Sequence, residues 1–310
     1  MGDVLSLLAA FCWSVANVTI ARGAVGKSGD NGAFLSILIT ILMAAGVWLA
    51  SGPHPGIAML GLTGLLWFAA GGALTIFFGR VFYHASIQWL GAMRGSSVKR
   101  LAPFFSVLLG VFILGDALSW TLIAGMVLIF SGFGLLIQES RKEQGASPQG
   151  SDLATDPASA RKLWTNPGLM YGAVSAFAYA SGNIARKYGL AAIPDPALGA
   201  LVGALVGAIL FLGAAAFLAS YREGVRGALT RFNPWLLTAG ILASAGQILF
   251  FFAIDLSTIS RAALIVSTET FMTILLSLLV FKGREKLTRS ALAAAALGVL
   301  GAMVIMAGRG

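Results

Sequence analysis

Charged and metal-binding side chains are scarce in this sequence, and their scarcity excludes several classes of protein. Charged residues make up 11% of the 310 residues, whereas a soluble domain has about 25%. A single cysteine, Cys12, excludes an internal disulfide and a cysteine-based metal site. Two histidines, His54 and His84, are too few for a histidine cluster. A soluble enzyme is therefore excluded, and no metal or cofactor is expected.

Hydrophobic residues, in contrast, make up 58% of the chain, and the mean hydropathy is +0.87. The apolar runs are continuous, near the roughly 20 residues of a membrane-spanning helix and too long for barrel strands of about 10 residues. They predict an all-α polytopic membrane protein with ten transmembrane helices. The predicted spans are at about 4–21, 32–50, 58–79, 95–114, 119–137, 168–185, 197–219, 235–256, 262–281 and 290–308.

A polar segment separates the first five spans from the last five. Residues 139–166 contain eight charged residues, two prolines and several serines and glycines. Such a composition cannot bury enough apolar surface to fold, so we predict a flexible polar linker. The chain is then divided into a first five-helix unit at 1–138 and a second at 167–310.

The two units look like copies of each other. Trp13 and Asn17 of the first span correspond to Tyr179 and Asn183 of the sixth, at an offset of 166 residues. A pattern of an acid, any residue, leucine and a hydroxyl residue follows the fourth span of each unit, starting at Asp116 and Glu285. Because five is odd, the second copy crosses the membrane in the opposite sense. The prediction is two inverted-topology five-helix repeats, an architecture common in secondary transporters.

Basic residues are concentrated on one side of the predicted spans. All but four of the 21 Lys and Arg residues lie in or beside the loops that follow spans 1, 3, 5, 7 and 9. The four on the side of the two termini are Arg186, Lys187, Arg261 and Arg309. The positive-inside rule then predicts a cytoplasmic linker and external termini. Dispersed basic residues of this kind suit a lipid bilayer as partner and not nucleic acid.

These features resemble the drug/metabolite transporter superfamily, in particular EamA-type permeases. Members have ten spans in two fives, and a proline in the fourth span of each half leads into a Gly-acid-x-Leu turn. Here Ala102-Pro103 leads to Gly115-Asp116, whereas Glu269-Thr270 lacks the proline, so the kink expected in span 9 would be missing. The resemblance implies transport of small metabolites, as by the amino-acid exporters of the superfamily. Some members keep both termini cytoplasmic, which is the opposite of what the charges of this chain predict.

Polar residues within predicted spans are candidate site residues, because burying them in a bilayer is costly. We expect a substrate-binding cavity between the halves, near the midplane and lined by spans 1, 3, 4, 6, 8 and 9. The candidates for substrate binding are Trp13, Asn17, Arg80, Arg100, Tyr179, Asn183, Gln247 and Ser267. Each type has a structural alternative, since amides join helices, aromatic residues anchor at interfaces and arginines reach out to headgroups.

Glu269 is the one acid well inside a predicted span, and a buried carboxylate can take up and release a proton. It is a candidate proton carrier or counter-ion to Arg80 or Arg100, with a structural salt bridge between the halves as the alternative. His84, near the end of span 3, is a second candidate for proton coupling or else an interfacial residue. Spans 5 and 10 are expected to pack together or against a second copy, in a monomer or homodimer.

The leading hypothesis is a secondary transporter of the inner membrane and not an enzyme. It would export a small polar metabolite, such as an amino acid, by alternating access. The alternative is an exporter of lipophilic cations, which Glu269 would serve but which Arg80, Lys99 and Arg100 disfavour. A membrane-embedded lipid enzyme would need a catalytic cluster at a membrane face, and the sequence indicates none.

The charge asymmetry generates a prediction about topology. With Cys12 replaced by alanine, single cysteines placed in the 139–166 linker should react with an impermeant thiol reagent only after intact cells are permeabilised. Labelling of the linker from outside intact cells would contradict the predicted orientation and favour cytoplasmic termini.

Overall fold

The computed structural model describes residues 1–23, 32–52, 61–90, 101–145, 167–280 and 288–308. Within these ranges the chain is almost entirely helical and contains no strand. Two π-helices lie at Ala73–Phe78 and Gly110–Leu114. The α-helices of these ranges are α1 (Gly2–Gly23), α2 (Ala33–Ala50), α3 (Leu62–Gly72), α4 (Gly79–Leu90), α5 (Ala102–Leu109), α6 (Trp120–Gly145), α7 (Pro167–Ala192), α8 (Pro196–Phe217), α9 (Ala219–Thr230), α10 (Pro234–Asp255), α11 (Ile259–Val266), α12 (Glu269–Val280) and α13 (Arg289–Ala307).

The described helical segments other than α9 form the ten predicted spans. Eight stretches of the described chain are long and apolar enough to cross a membrane. The shorter apolar segment Ala102–Leu114 and the more polar, 26-residue α7 are the fourth and sixth spans. Span 3 runs through α3, the first π-helix and α4, and span 9 consists of α11 and α12. The predicted all-α membrane fold is confirmed.

Two helices extend beyond their predicted ends. α6 continues to Gly145, so the first seven residues of the predicted 139–166 linker are helical, and residues 146–166 lie outside the described residues. α7 continues to Ala192, seven residues past its predicted end. The next helix begins only after a turn, where the Asp195 carboxylate accepts a hydrogen bond from the Leu198 amide at 2.9 Å and caps α8.

The extension of α7 corrects the predicted position of two basic residues. Arg186 and Lys187 had been counted among the residues beyond the spans, on the side of the termini. Both lie within α7, and the Arg186 side chain is buried with 4% exposure. Arg186 is therefore removed from the basic residues on the side of the termini, whereas the Lys187 ammonium stays there and donates to the Ser257 carbonyl at 3.0 Å. The direction of the charge asymmetry is unchanged.

The helices of the two halves pack in equivalent pairs. Span 1 packs along span 8 through α1 and α10. In the equivalent pair, span 6, the counterpart of span 1, packs along span 3, the counterpart of span 8, through α7, α3 and α4. Span 2 packs against span 8 as span 7 packs against span 3, and spans 2 and 7 pack against each other. Spans 5 and 10 pack together as α6 and α13, as predicted. Each interface has its counterpart in the other half, as two copies of one unit require.

Small residues let span 3 and α8 approach backbone to backbone. A Cβ atom on Gly72 would lie 2.6 Å from the Cα atom of Gly203 and closer still to its carbonyl oxygen. One turn to either side along α8, a Cβ on Gly199 would meet the Phe68 ring at 2.7 Å, and one on Gly207 would meet the Ile76 side chain at 2.5 Å. The glycines at four-residue intervals in α8 therefore form the packing surface for span 3.

The close approach predicts that alanine substitution has different effects on stability at the two glycines in contact, Gly72 and Gly203. Gly72→Ala should lower the thermal midpoint of the detergent-purified protein by several degrees, because the new methyl group meets backbone that cannot move aside, and overpacking costs about 1–3 kcal/mol. Gly203→Ala is the matched control, since its Cβ would lie 3.5 Å from the nearest atom, an ordinary contact. Equal midpoints for the two variants would contradict the described packing.

Candidate functional site

A cavity of about 740 Å³ lies between the two halves, with walls from both. It is lined by spans 1, 3, 4, 6, 8 and 9, as predicted, and in addition by residues of α2 and α6. The structure brings eight of the predicted site residues to this cavity: Trp13, Asn17, Arg80, Tyr179, Asn183, Gln247, Ser267 and Glu269. Arg100 lies outside the described residues, and so does the side chain of His84, which α4 contains.

Some of the lining residues lie near the middle of their spans, and many belong to the ends of the spans that face the linker. They come from the second half of α1, the start of α2, the segment from Thr75 to Tyr83 in span 3 and the start of α5. Because successive spans alternate in direction, these ends all lie on the side opposite to the termini. The cavity therefore occupies the linker side of the bundle and its middle.

On the side of the termini, polar contacts close the bundle. The Arg261 guanidinium donates two hydrogen bonds to the Asp3 carboxylate, at 2.7 and 2.6 Å, and joins α11 to α1. The Asp116 carboxylate accepts bonds from the Ser260 amide at 2.9 Å and the Ser260 hydroxyl at 2.7 Å, at the first turn of α11. Gly115, with φ of 72°, supplies the left-handed turn that brings Asp116 there. Both contacts connect the first half to the second.

Span 9 is interrupted beside the cavity, although it lacks the proline expected there. α11 ends at Val266 and α12 begins at Glu269. The Ser267 hydroxyl donates to the Leu264 carbonyl and the Thr268 hydroxyl to the Ile265 carbonyl, both at 2.6 Å. Such bonds compete with the helical ladder and bend or break a helix. The prediction of a missing kink was therefore wrong, because hydroxyl groups produce the interruption.

The break places Glu269 in the first turn of α12, where the helix dipole favours a negative charge. The Asn17 amide donates to its carboxylate at 2.7 Å, and the Ser14 hydroxyl donates to its backbone carbonyl at 2.9 Å. Trp13, one turn earlier on α1, donates from its indole nitrogen to the Ala243 carbonyl at 3.1 Å. One face of α1 thus bonds to both span 9 and span 8.

Arg186 is a site residue that the sequence prediction missed. Its guanidinium donates to the Thr75 hydroxyl at 2.5 Å and to the Asn183 side-chain oxygen at 3.2 Å. With the Gln247 amide oxygen turned toward it, Gln247 accepts from both terminal nitrogens, at 2.9 and 3.1 Å. The guanidinium also lies 4.8 Å from the centre of the Phe251 ring, in cation–π contact. Arg186 therefore joins span 6 to spans 3 and 8 at the cavity wall.

The spacing of residues on α7 was a signal that could have found Arg186. Tyr179, Asn183 and Arg186 follow at intervals of four and three residues, which places them on one face of a helix. The first two were predicted site residues. Ending the predicted helix at 185 removed the third from consideration.

Arg80 reaches the same cavity through the irregular backbone of span 3. Thr75 and Arg80 are five residues apart and both line the cavity. The π-helix Ala73–Phe78, whose hydrogen bonds join residues five apart, brings the two onto one face. The Arg80 Nη1 atom is buried and makes no hydrogen bond with the described part of the chain, and the same holds for Arg186 Nε.

A sequence profile of the EamA-like transporter family matches residues 1–138 and 166–307. The chain belongs to the EamA-like transporter family. A solved structure, described only as a crystal structure of a protein, is 18% identical, and its TM-score is 0.66 over 98% of this chain and 95% of that chain. At that identity the likeness shows a shared fold. No curated protein matches the sequence.

In this EamA-like transporter, charged, amide and aromatic side chains line the cavity between the two halves. Its described walls carry charges of both signs, with Arg80 and Arg186 against Glu269, and amides between them. Aromatic rings of Trp13 and Phe250 complete the wall, 5.7 Å apart between centroids. Such a lining can bind a small molecule that carries both polar groups and an apolar part.

Proposed function

We propose that this EamA-like transporter is a secondary-active exporter of the inner membrane. It moves a small polar metabolite, such as an amino acid, by alternating access. One observation carries the proposal: a cavity between the repeats bears charged groups of both signs and is closed by polar contacts on the side of the termini. Its volume of about 740 Å³ suits a small metabolite, because ligand cavities measure roughly 300–1,000 Å³.

An amino acid matches the distribution of charge in the cavity. Its carboxylate would bind an arginine through charge-assisted hydrogen bonds. Its ammonium group would lie at Glu269, which Asn17 already orients. A lipophilic cation fits less well, because two arginines in a medium of low dielectric constant repel it.

The arrangement of the contacts supports alternating access. In the state described, the closed side carries the Asp3–Arg261 ion pair, and the side chains of the pair are only 20% and 14% exposed. The equivalent interfaces of the two repeats allow each half to adopt the packing of the other, as inverted repeats do in secondary transporters. Opening toward the termini requires that the Asp3–Arg261 and Asp116–Ser260 contacts separate.

The decisive experiment is transport by the purified protein in liposomes, with amino acids, organic acids and cationic dyes as substrates, with and without a pH gradient. Uptake of amino or organic acids, accelerated by the gradient, is the expected result. Transport of the dyes alone would replace the proposal with the lipophilic-cation exporter.

Glu269→Gln tests proton coupling. If Glu269 carries the proton, the variant should still exchange labelled for unlabelled substrate, whereas accumulation driven by a pH gradient should fall at least tenfold. Glu223→Gln, the same change on the exposed face of α9, is the matched control and should behave as the wild type. Loss of exchange and accumulation together, or of folding, would instead assign Glu269 to binding or structure.

Asp3→Asn tests the closed side. Removing one partner of a largely buried ion pair should favour the state that is open toward the termini. In a Cys12→Ala background, Ser6→Cys, on the fully buried part of α1, should then react several times faster with an impermeant thiol reagent. Ala33→Cys, at the cavity, should react more slowly from the linker side. Unchanged rates at both positions would show that the ion pair does not control access.

A further inference from the structure

Arg186 carries a positive charge that the described part of the protein does not neutralise. The residue is 4% exposed, and in the described ranges the one ion pair is Arg261 with Asp3. Its hydrogen-bond partners, Thr75, Asn183 and Gln247, are all neutral. A buried, uncompensated charge is costly in water-soluble proteins and in membranes alike. A neutral side chain could fill a purely structural role at a lower free-energy cost of burial.

The neutral partners orient the guanidinium without cancelling its charge. They occupy its two terminal nitrogens, while Nε is buried without a partner. Arg80, about one helical turn beyond Thr75 on the adjacent wall, also has a buried nitrogen without a partner, Nη1. Two arginines in one cavity, each with an unused donor, match two separate anionic groups of a ligand.

The net charge of the described lining residues also favours a ligand with two anionic groups. Arg80 and Arg186 exceed Glu269 by one positive charge. A molecule with two carboxylates and one ammonium group has a net charge of minus one and complements that set group by group. A neutral amino acid would leave one arginine without a counter-ion.

We propose that Arg186 and Arg80 form a two-point carboxylate site, and that the transported substrate is an acidic metabolite of the class of dicarboxylic amino acids. The inference rests on the proposed function, since it names the substrate class of the same cavity. Arg186 binds one carboxylate through its oriented guanidinium, Arg80 binds the second, and Glu269 with Asn17 accepts the ammonium group.

Ligand binding to the purified full-length protein in detergent tests the site without requiring transport. L-Glutamate and L-glutamine are the probes, because they have nearly the same shape and differ by one carboxylate. The thermal midpoint and the fluorescence of tryptophan, which includes Trp13 in the cavity wall, report binding. We expect L-glutamate to raise the midpoint and L-glutamine to bind at least tenfold more weakly.

Variants assign the effect to the two arginines. Arg186→Gln and Arg80→Gln should each weaken L-glutamate binding about ten- to a hundredfold, the usual effect of losing a charge-assisted bond. Arg226→Gln removes the same charge from the exposed face of α9, outside the cavity, and should bind as the wild type does. If Arg186→Gln fails to fold, Arg186→Lys keeps the charge and should still bind more weakly, because it lacks the planar fork.

Three results would overturn the proposal. These are equal binding of L-glutamate and L-glutamine by the wild type, undiminished L-glutamate binding by both glutamine variants, and equal stabilisation by sulfate at matched ionic strength. The proposed function fails separately: L-glutamate binding without transport in liposomes would retain the carboxylate site and reject the transporter mechanism. Transport of neutral amino acids without L-glutamate binding would retain the transporter mechanism and reject the carboxylate site.

Discussion

A polar group within the hydrocarbon core of a bilayer has no water to bond, so its partner must lie within the protein. The two repeats of this protein satisfy that requirement for each other. The Trp13 indole bonds to span 8, Asn17 bonds to Glu269 of span 9, and Arg186 bonds to Thr75 of span 3. Because every one of these bonds crosses between the halves, the polar groups that line the cavity also hold its walls together. Movement of one half against the other must exchange these partners and cannot merely release them.

Two stretches of irregular backbone border the cavity, where a membrane tolerates them. The π-helix of span 3 supplies Thr75 and Arg80 to the same wall, and the break in span 9 gives Glu269 the start of a helix. Both irregularities arise without proline. The hydroxyls of Ser267 and Thr268 interrupt span 9. Discontinuous helices of this kind are typical of transporter binding sites.

Much of the cavity could be predicted from the sequence because the chain is duplicated. The offset of 166 residues fixes Trp13 and Asn17 against Tyr179 and Asn183, and equivalent positions near a pseudo-two-fold axis must meet at the interface between the repeats. Local composition was a poorer guide. It ended α7 at its first charged residues, whereas the helix continues because hydrogen bonds to neutral neighbours hold the Arg186 side chain at the cavity wall. It also indicated a straight span 9, because hydroxyl-mediated breaks depend on side-chain rotamers that composition does not specify.

The two repeats differ at the charged positions of the cavity. At the 166-residue offset Arg186 corresponds to Ile20, and at 167 residues Arg80 corresponds to Gln247 and Thr75 to Leu242. The Arg186–Thr75 bond of the present state therefore has as its counterpart a pair of apolar residues, Ile20 and Leu242. If the halves exchange conformations, no equivalent polar bond forms on the opposite side to take over the orientation of Arg186. Under the proposed exchange of conformations, a ligand carboxylate would replace the partner that Arg186 loses, and the asymmetry of the two repeats would then couple occupancy of the cavity to the direction in which it opens.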